Sequence, residues 1–330
     1  MSSWIAITGG SGYVGSHIAV ALKLTSNYKT LVIDNRIAQL PHTWQFADQF
    51  IDKSYNDPCI ADTLATLNPS VLIHCAASSL VGPSMTDPAV YYANNVVGIV
   101  KLLDTMRQQG VANLVFSSSS SVYGNSDEQV PSKEDDHLDP ISPYGTTKMI
   151  GEHIIRDYCT AYGMNAICFR YFNAVGASPL LDLGQEPGAT HLIARVMESL
   201  IDNAEFVING DDWPTVDGTC VRDYVHVRDI ADAHVLGAKW LLTNPGFHVM
   251  NIGSGSGQSI KQIIAAVEYV TGRKINTRIG TKRAGDPAWR MADIARISTT
   301  LNWKPNNDIV SIVSDAYDWY NSNTFKKLRC

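Results

Sequence analysis

The 330-residue chain is short of cysteine, of net charge and of long apolar runs, and each shortage excludes something. Its six cysteines stand at 59, 75, 159, 168, 220 and 330. No two form a C-x-x-C pair, and none stands with histidine at the spacing of a zinc site. A disulfide scaffold and a bound metal are therefore not expected, and the thiols read as reduced, as in a cytoplasmic protein. Positive charge is not in excess either: 26 Lys and Arg face 32 Asp and Glu, for a net charge of −6. Neither nucleic acid nor a membrane surface is an expected partner, and any anionic ligand must be held by a few local cations. No apolar stretch reaches the roughly 18 residues of a membrane span, and the first apolar run is too short for a secretion signal. Internal repeats, heptads and low-complexity segments are also lacking. The reading is a soluble, globular chain.

What is present is an alternation of short apolar runs with longer amphipathic ones. "WIAIT" (4–8), "TLVID" (30–34), "SVLIHCA" (70–76), "NLVFSSS" (113–119) and "NAICFRYFN" (165–173) are near-continuous apolar runs, as buried parallel strands are. Between them, segments such as 15–24 and 88–109 have helical character. Repeated strand–helix units predict an α/β fold, a doubly wound parallel sheet of the Rossmann type. After Asn173 the pattern breaks into Gly, Pro and Asp, with one helix-like stretch at 189–203. Residues 225–242 read as a strand end and a helix returning to the first domain, whereas strand 248–253 and helix 258–271 read as part of a second, smaller mixed α/β lobe. The expected division is 1–174, with 223–247 returning to it, for the dinucleotide, and 175–222 with 248–330 for the substrate.

"AITGGSGYVGSH" sets Gly9, Gly12 and Gly15 between the first strand and the first helix. Such glycines permit a tight turn and let backbone N–H groups approach a pyrophosphate at the helix N-terminus. Asp34 ends the next strand, where a carboxylate accepts both hydroxyls of an adenosine ribose and repels a 2′-phosphate. NAD is favoured over NADP. The second glycine run, "NIGSGSGQS" (251–259), lacks an acid-tipped strand after it and reads as a loop entering a helix.

"SPYGTTK" (142–148) puts a phenol and an ammonium one helical turn apart, Tyr144 and Lys148, behind a Ser142–Pro143 helix start. A phenol with an ordinary pKa near 10 is a poor base at neutral pH. An ammonium about 4 Å away favours phenolate by up to ~4 kcal/mol at an effective dielectric near 20, or roughly two to three pKa units. A tyrosine so tuned is a general base. "FSSSSSVYG" (116–124) adds hydroxyls at the carboxyl end of a parallel strand, where open α/β sheets bind ligands.

"TGGSGYVGSH", "FSSSSSVYG", "SPYGTTK", "RYFNAVGAS" and "DGTCVRDYVHV" together resemble the extended short-chain dehydrogenase/reductase family, in order and over nearly the whole chain. Within it the chain is most similar to the UDP-glucose 4-epimerases. The resemblance implies Tyr144 as base, Lys148 as the ribose-binding cation that tunes it, and Ser119 as catalytic serine, with Ser118 and Ser120 one register away. It implies NAD contacts from Gly9, Gly12, Tyr13, Val14, Gly15, Asp34, Asn35, Asp52, Ala76, Asn95, Tyr144, Lys148 and Tyr171. Ser79 stands where the family commonly has a lysine.

For a UDP-sugar, the resemblance implies Asn173, Arg222 and Arg283 at the diphosphate. It places His191, Leu192 and Asp286 near the uridine, and Ser119 and Tyr144 at the sugar. Arg290 occupies a position that lines the sugar pocket. There it narrows the pocket toward unmodified hexose, pairs with a sugar carboxylate, or points to water while Trp289 or Met291 faces in. The implied activity is C4 inversion through transient NAD-dependent oxidation in a homodimer whose helices start near Pro88 and Tyr144. The alternatives are epimerisation of UDP-N-acetylglucosamine or UDP-glucuronate, and a non-catalytic NAD-binding regulator. The Asp-Glu acid pair of the family's dehydratases is missing from the serine run.

Overall fold

The computed structural model describes residues 3–36, 42–125, 129–282 and 287–329. Its first half runs β1 (Trp4–Thr8), α1 (Tyr13–Thr25), β2 (Lys29–Asp34), β3 (Gln49–Asp52), α2 (Ile60–Leu67), β4 (Val71–His74), α3 (Val81–Thr86), α4 (Pro88–Tyr91), α5 (Gly98–Gln108), β5 (Asn113–Ser119), α6 (Pro143–Tyr162) and β6 (Asn165–Tyr171). Then come β7 (Asn173–Val175), α7 (Leu192–Asp202), β8 (Phe206–Asn209), β9 (Val221–His226), α8 (Val227–Leu241), β10 (Phe247–Ile252), β11 (Gly257–Ser259) and α9 (Ile260–Thr271). Last are β12 (Thr277–Gly280), β13 (Trp289–Arg290), α10 (Ala295–Leu301), α11 (Ile309–Asn321) and α12 (Asn323–Arg329).

Seven parallel strands form the main sheet in the order β10-β6-β5-β4-β1-β2-β3. Alternate residues of each strand feed opposite layers. Ile5 and Ile7 of β1 pack with α1 and α8, while Ala6 faces the layer holding α2, α5 and α6. Both faces being apolar is what made these strands read as continuous runs. The helical character read over 88–109 is α4 and α5 joined by a π turn at Tyr92–Val97.

The small lobe has β11-β9-β13 with β7 also pairing β9, and a separate β12–β8 pair. Its core gathers α7, α9, α11 and α12 around Ile263, Val267, Trp319 and Phe325. As expected, α8 returns to the large core and packs on α1. One expectation is corrected. The strand at 248–253 is not part of the small lobe: β10 extends the main sheet beside β6, from Phe247 opposite Ala166 to Ile252 opposite Tyr171. Its buried Met250 and Ile252 join the large core, and α10 covers it. The short β3 was not anticipated; it is a largely exposed edge strand with little apolar signal.

Candidate active site

A cleft of about 1160 Å³ opens at the carboxyl ends of the main-sheet strands and is faced by the small lobe. The glycine turn forms one wall. Gly9 has φ +71°, and a Cβ there would lie 2.5 Å from the backbone N of Ala76. A Cβ on Gly15 would lie 2.2 Å from the carbonyl oxygen of Gly9. No side chain fits at either point, so the turn presents bare backbone at the start of α1. Asp34 accepts from the N–H of Ser11 at 2.9 Å and of Arg36 at 2.9 Å. Burial raises its carboxyl above the usual range, against the lowering effect of those two N–H groups. Ser11 Oγ is buried and makes no hydrogen bond within the protein. Tyr13 reaches across to the small lobe and donates its hydroxyl to Gly176 O at 2.7 Å.

Beside it stands the start of α6. Ser142 caps it, accepting from Gly145 N–H at 3.1 Å, and Pro143 fills the first turn. Tyr144 and Lys148 both lie buried on the face turned to β5. Period-two alternation sorts the serines of β5. Ser117 Oγ meets His234 Nε2 at 3.0 Å, Ser118 Oγ donates to Glu152 on the opposite side, and Ser119 Oγ donates to Ser121 Oγ at 3.2 Å in the cleft lining, near enough to the Tyr144 phenol to lower it. Ser119 is thus the serine of the run that lies against the phenol.

The expected tuning of Tyr144 by Lys148 is not what the structure shows. Burial pushes the phenol up to about 12, with Ser119 lowering it less than burial raises it. Lys148 donates to Ser117 O at 2.7 Å, and its Nζ sits 5.9 Å from the centre of the Tyr144 ring. Burial brings the ammonium itself down to about 8, against the raising influence of Cys75 and Glu152. Burial dominates both groups, and at this distance the ammonium does not bring the phenol down.

Behind the pair lies a buried polar network that the sequence reading missed. Arg170 of β6 donates to Glu152 from Nε at 2.9 Å and from Nη2 at 2.6 Å. Its Nη1 reaches Glu134 O at 2.9 Å and the Tyr123 hydroxyl at 3.1 Å. Tyr123 in turn donates to Asn251 Oδ1 at 2.6 Å. The signal was available: an arginine inside an apolar strand requires a buried acceptor, and Glu152 lies one helical turn beyond Lys148.

Of the residues nominated from sequence, the cleft is lined by Gly9, Gly12, Tyr13, Val14, Gly15, Asp34, Asn35, Ala76, Ser119, Tyr144, Tyr171, Asn173 and His191. Asn95, expected near the cofactor, is instead a brace: its buried amide accepts from Ser78 N–H at 2.9 Å and donates to Thr147 Oγ1 at 3.0 Å and Ser78 O at 2.9 Å. Asp52 pairs with Asp34 in register but is exposed and does not line the cleft. Leu192 also lies off the lining, while His191, at the start of α7, contacts Gln185 at 3.1 Å. Arg222 and Arg290 stand side by side on β9 and β13, half-buried and outside the cleft lining. Trp289 and Met291 approach Gly257, on the face of β13 away from Arg290. Arg283 and Asp286 lie outside the described residues.

Asn173 donates to Asp223 O at 2.7 Å, and buried Asp223 gathers the N–H groups of Ser254, Gly255 and Ala292. That ties down a turn at 253–256; the run "NIGSGSGQS", read from sequence as one loop entering a helix, begins in β10 and ends in β11 before α9. The cleft also takes in Arg36, Tyr55, Glu186 and Arg195, none of them nominated beforehand. Charged side chains on a loop or a helix read as solvated, and only the tertiary fold brings these to a common wall. Among the described residues no cluster of His, Cys, Asp and Glu can hold a metal, and no helix is long and apolar enough to cross a membrane.

Residues 5–253 match the family model described as NAD dependent epimerase/dehydratase family. The chain is 38% identical over 321 residues to a UDP-glucose 4-epimerase of Halalkalibacterium halodurans, covering 96% of this chain and 95% of that one. It is 39% identical to one of Corynebacterium glutamicum, over 95% and 94% of the two chains. Among solved structures, the UDP-glucose 4-epimerase of Brucella ovis in complex with NAD superposes with a TM-score of 0.90 at 36% identity, over 96% and 99% of the chains. That of Stenotrophomonas maltophila, with bound NAD and formylated UDP-arabinopyranose, gives 0.91 at 33%, over 96% and 97%. With the glycine turn, Asp34 and the Ser119–Tyr144 contact facing one cleft, these likenesses place the chain in the NAD dependent epimerase/dehydratase family.

Proposed function

We propose that the chain interconverts UDP-glucose and UDP-galactose by reversible oxidation at C4 of the sugar. The observation that carries this reading is the contact of Tyr144 with Ser119 in the cleft that also holds the glycine turn and Asp34. The residues present fit NAD. Gly9 and Gly15 leave a cradle that a Cβ would fill, Ser11 Oγ is a buried hydroxyl with no protein partner, and Asp34 is set for ribose hydroxyls. Gly12, Tyr13, Val14, Asn35, Ala76 and Tyr171 would complete the dinucleotide site, with Lys148 and Asn95 behind it. When bound, NAD supplies the hydride acceptor and donor that side chains lack, together with a positive ring charge.

Tyr144 takes the proton of the sugar 4-hydroxyl as C4 is oxidised and gives it back on reduction. Ser119 holds the same oxygen by a hydrogen bond that strengthens as the carbonyl forms. Lys148 keeps a cation 5.9 Å from the Tyr144 ring, and the positive ring charge of bound NAD would add the lowering of the phenol that Lys148 alone does not supply. The UDP part would be held by Asn173 and His191, which line the cleft; the resemblance adds Arg222 and Leu192, outside its lining, and Arg283 and Asp286, and guanidinium forks suit phosphate oxygens. Anchoring by UDP leaves the hexose free to present its other face, and that reversal inverts C4. Arg290 stands beside Arg222 and outside the cleft lining.

Exposed Val90, Tyr92 and Val97, on α4 and the π turn, give an apolar face suited to a second copy of the chain, and sedimentation should show a homodimer. Among the described residues the cysteines form no disulfide, which supports a reducing, cytoplasmic setting. The deciding assay offers purified protein UDP-galactose, UDP-N-acetylgalactosamine and UDP-glucuronate separately. UDP-glucose should form from the first; turnover of the acid alone would overturn the substrate assignment.

A further inference from the structure

The dinucleotide end of the cleft carries a pair of opposite charges contributed by its two sides. Arg36, two residues beyond Asp34, gives its N–H to the Asp34 carboxylate, and its guanidinium pairs with Glu186 from the loop between β7 and α7. Asp34, Arg36 and Glu186 all line the cleft. A second contact holds the same two sides together. His42 stacks on Trp319 with ring centroids 6.4 Å apart, and Asp182 and Glu186 both act on its charge. The position of Glu186 against Arg36 is therefore supported from two points of the small lobe.

A guanidinium close after the acidic strand end is the kind of group that accommodates a 2′-phosphate on the adenosine ribose. Asp34 alone repels such a phosphate, yet Arg36 beside it would offset that repulsion. Glu186 engages the guanidinium and adds a second negative charge at the place where the phosphate would sit. We propose that Glu186 is a cofactor-specificity residue, which acts through Arg36 to exclude NADP from a site that Asp34 adapts to NAD. The inference rests on the dinucleotide reading of the cleft. It concerns a residue of the substrate side that a strand-end fingerprint does not contain.

Both side chains are partly exposed, 45% for Arg36 and 39% for Glu186, so their replacement is compatible with folding. The test measures NAD and NADP affinity for nucleotide-free protein as wild type, Glu186→Gln, Arg36→Gln and the double variant. Glu186→Gln should improve NADP relative to NAD by about fivefold, the scale of one partly exposed charge pair. The gain should shrink as salt is raised, which a purely structural role would not produce. It should vanish in the double variant, because Arg36 is the group released. An unchanged NADP-to-NAD ratio in Glu186→Gln, or a gain that survives removal of Arg36, overturns the proposal. Failure of the wild type to bind NAD would overturn the reading on which it rests, and the proposal with it.

Discussion

The two walls of the cleft are held in different ways. The wall of α1, β5 and α6 is fixed from behind by buried polar contacts: Lys148 to Ser117, Ser118 to Glu152, Glu152 to Arg170 and His234 to Ser117. The opposite wall is a loop and a helix start, 185–191, with Arg195 of α7, and much of it is exposed. The difference matches two tasks. Redox chemistry needs atoms held to within a fraction of an ångström, whereas a sugar that must present both faces needs a less confining partner. The second wall therefore tolerates change that the first does not.

The largest test is Tyr144→Phe. Turnover should fall by about 10⁴-fold, the upper range for a general base, while UDP-sugar binding measured by calorimetry stays within about twofold. Equal losses in both would mean the phenol belongs to binding and the division between walls is misdrawn. Next is Glu152→Ala, which leaves Arg170 buried beside an empty acceptor. Urea unfolding should show a loss of about 3–5 kcal/mol. A loss within 1 kcal/mol, roughly a surface pair, would show that the network does not hold the first wall.

A smaller effect comes from pH. His234 is fully buried, and burial lowers it to about 4 from the ordinary 6.5. The unfolded chain therefore binds the extra proton between those values. Its stabilising contribution is complete above pH 6.5 and is lost as pH falls toward 4, by on the order of 3 kcal/mol. Replacing His234 with Gln should flatten that part of a stability–pH curve; an unchanged slope would remove His234 as its source. Smallest is Asn173→Ala, on β7, which leads into the loop of the second wall. KM for the UDP-sugar should rise several-fold, with unfolding shifted by only about 1 kcal/mol, the scale of one lost hydrogen bond. A collapse of folding instead would make the second wall as fixed as the first.

Much of the first wall was legible because local rules write it. β1 and β5 fall where their apolar runs do, Gly9 and Gly15 stand where a side chain cannot, and Pro143 after Ser142 starts α6. Sequence does not say which sheet edge will claim a strand, so β10 was assigned to the wrong lobe. Nor does spacing reveal the balance of desolvation against charge, which is why Tyr144 was expected to be acidic and is found at about 12. The π turn carries Asn95, whose amide braces Thr147, an irregularity that helical periodicity hides. Glu152, Arg36 and Glu186 escaped notice because each gains meaning only from a partner far along the chain.

The backbone weaves between the sheets. It leaves the large one after β6, comes back with α8 straight after β9, leaves again after β10 and returns with α10. No scissors cut, by protease or by gene truncation, can free the small lobe as an autonomous fragment. Melting should accordingly register as one event, and shortened chains that stop before α10 should expose the flank of β10 and precipitate.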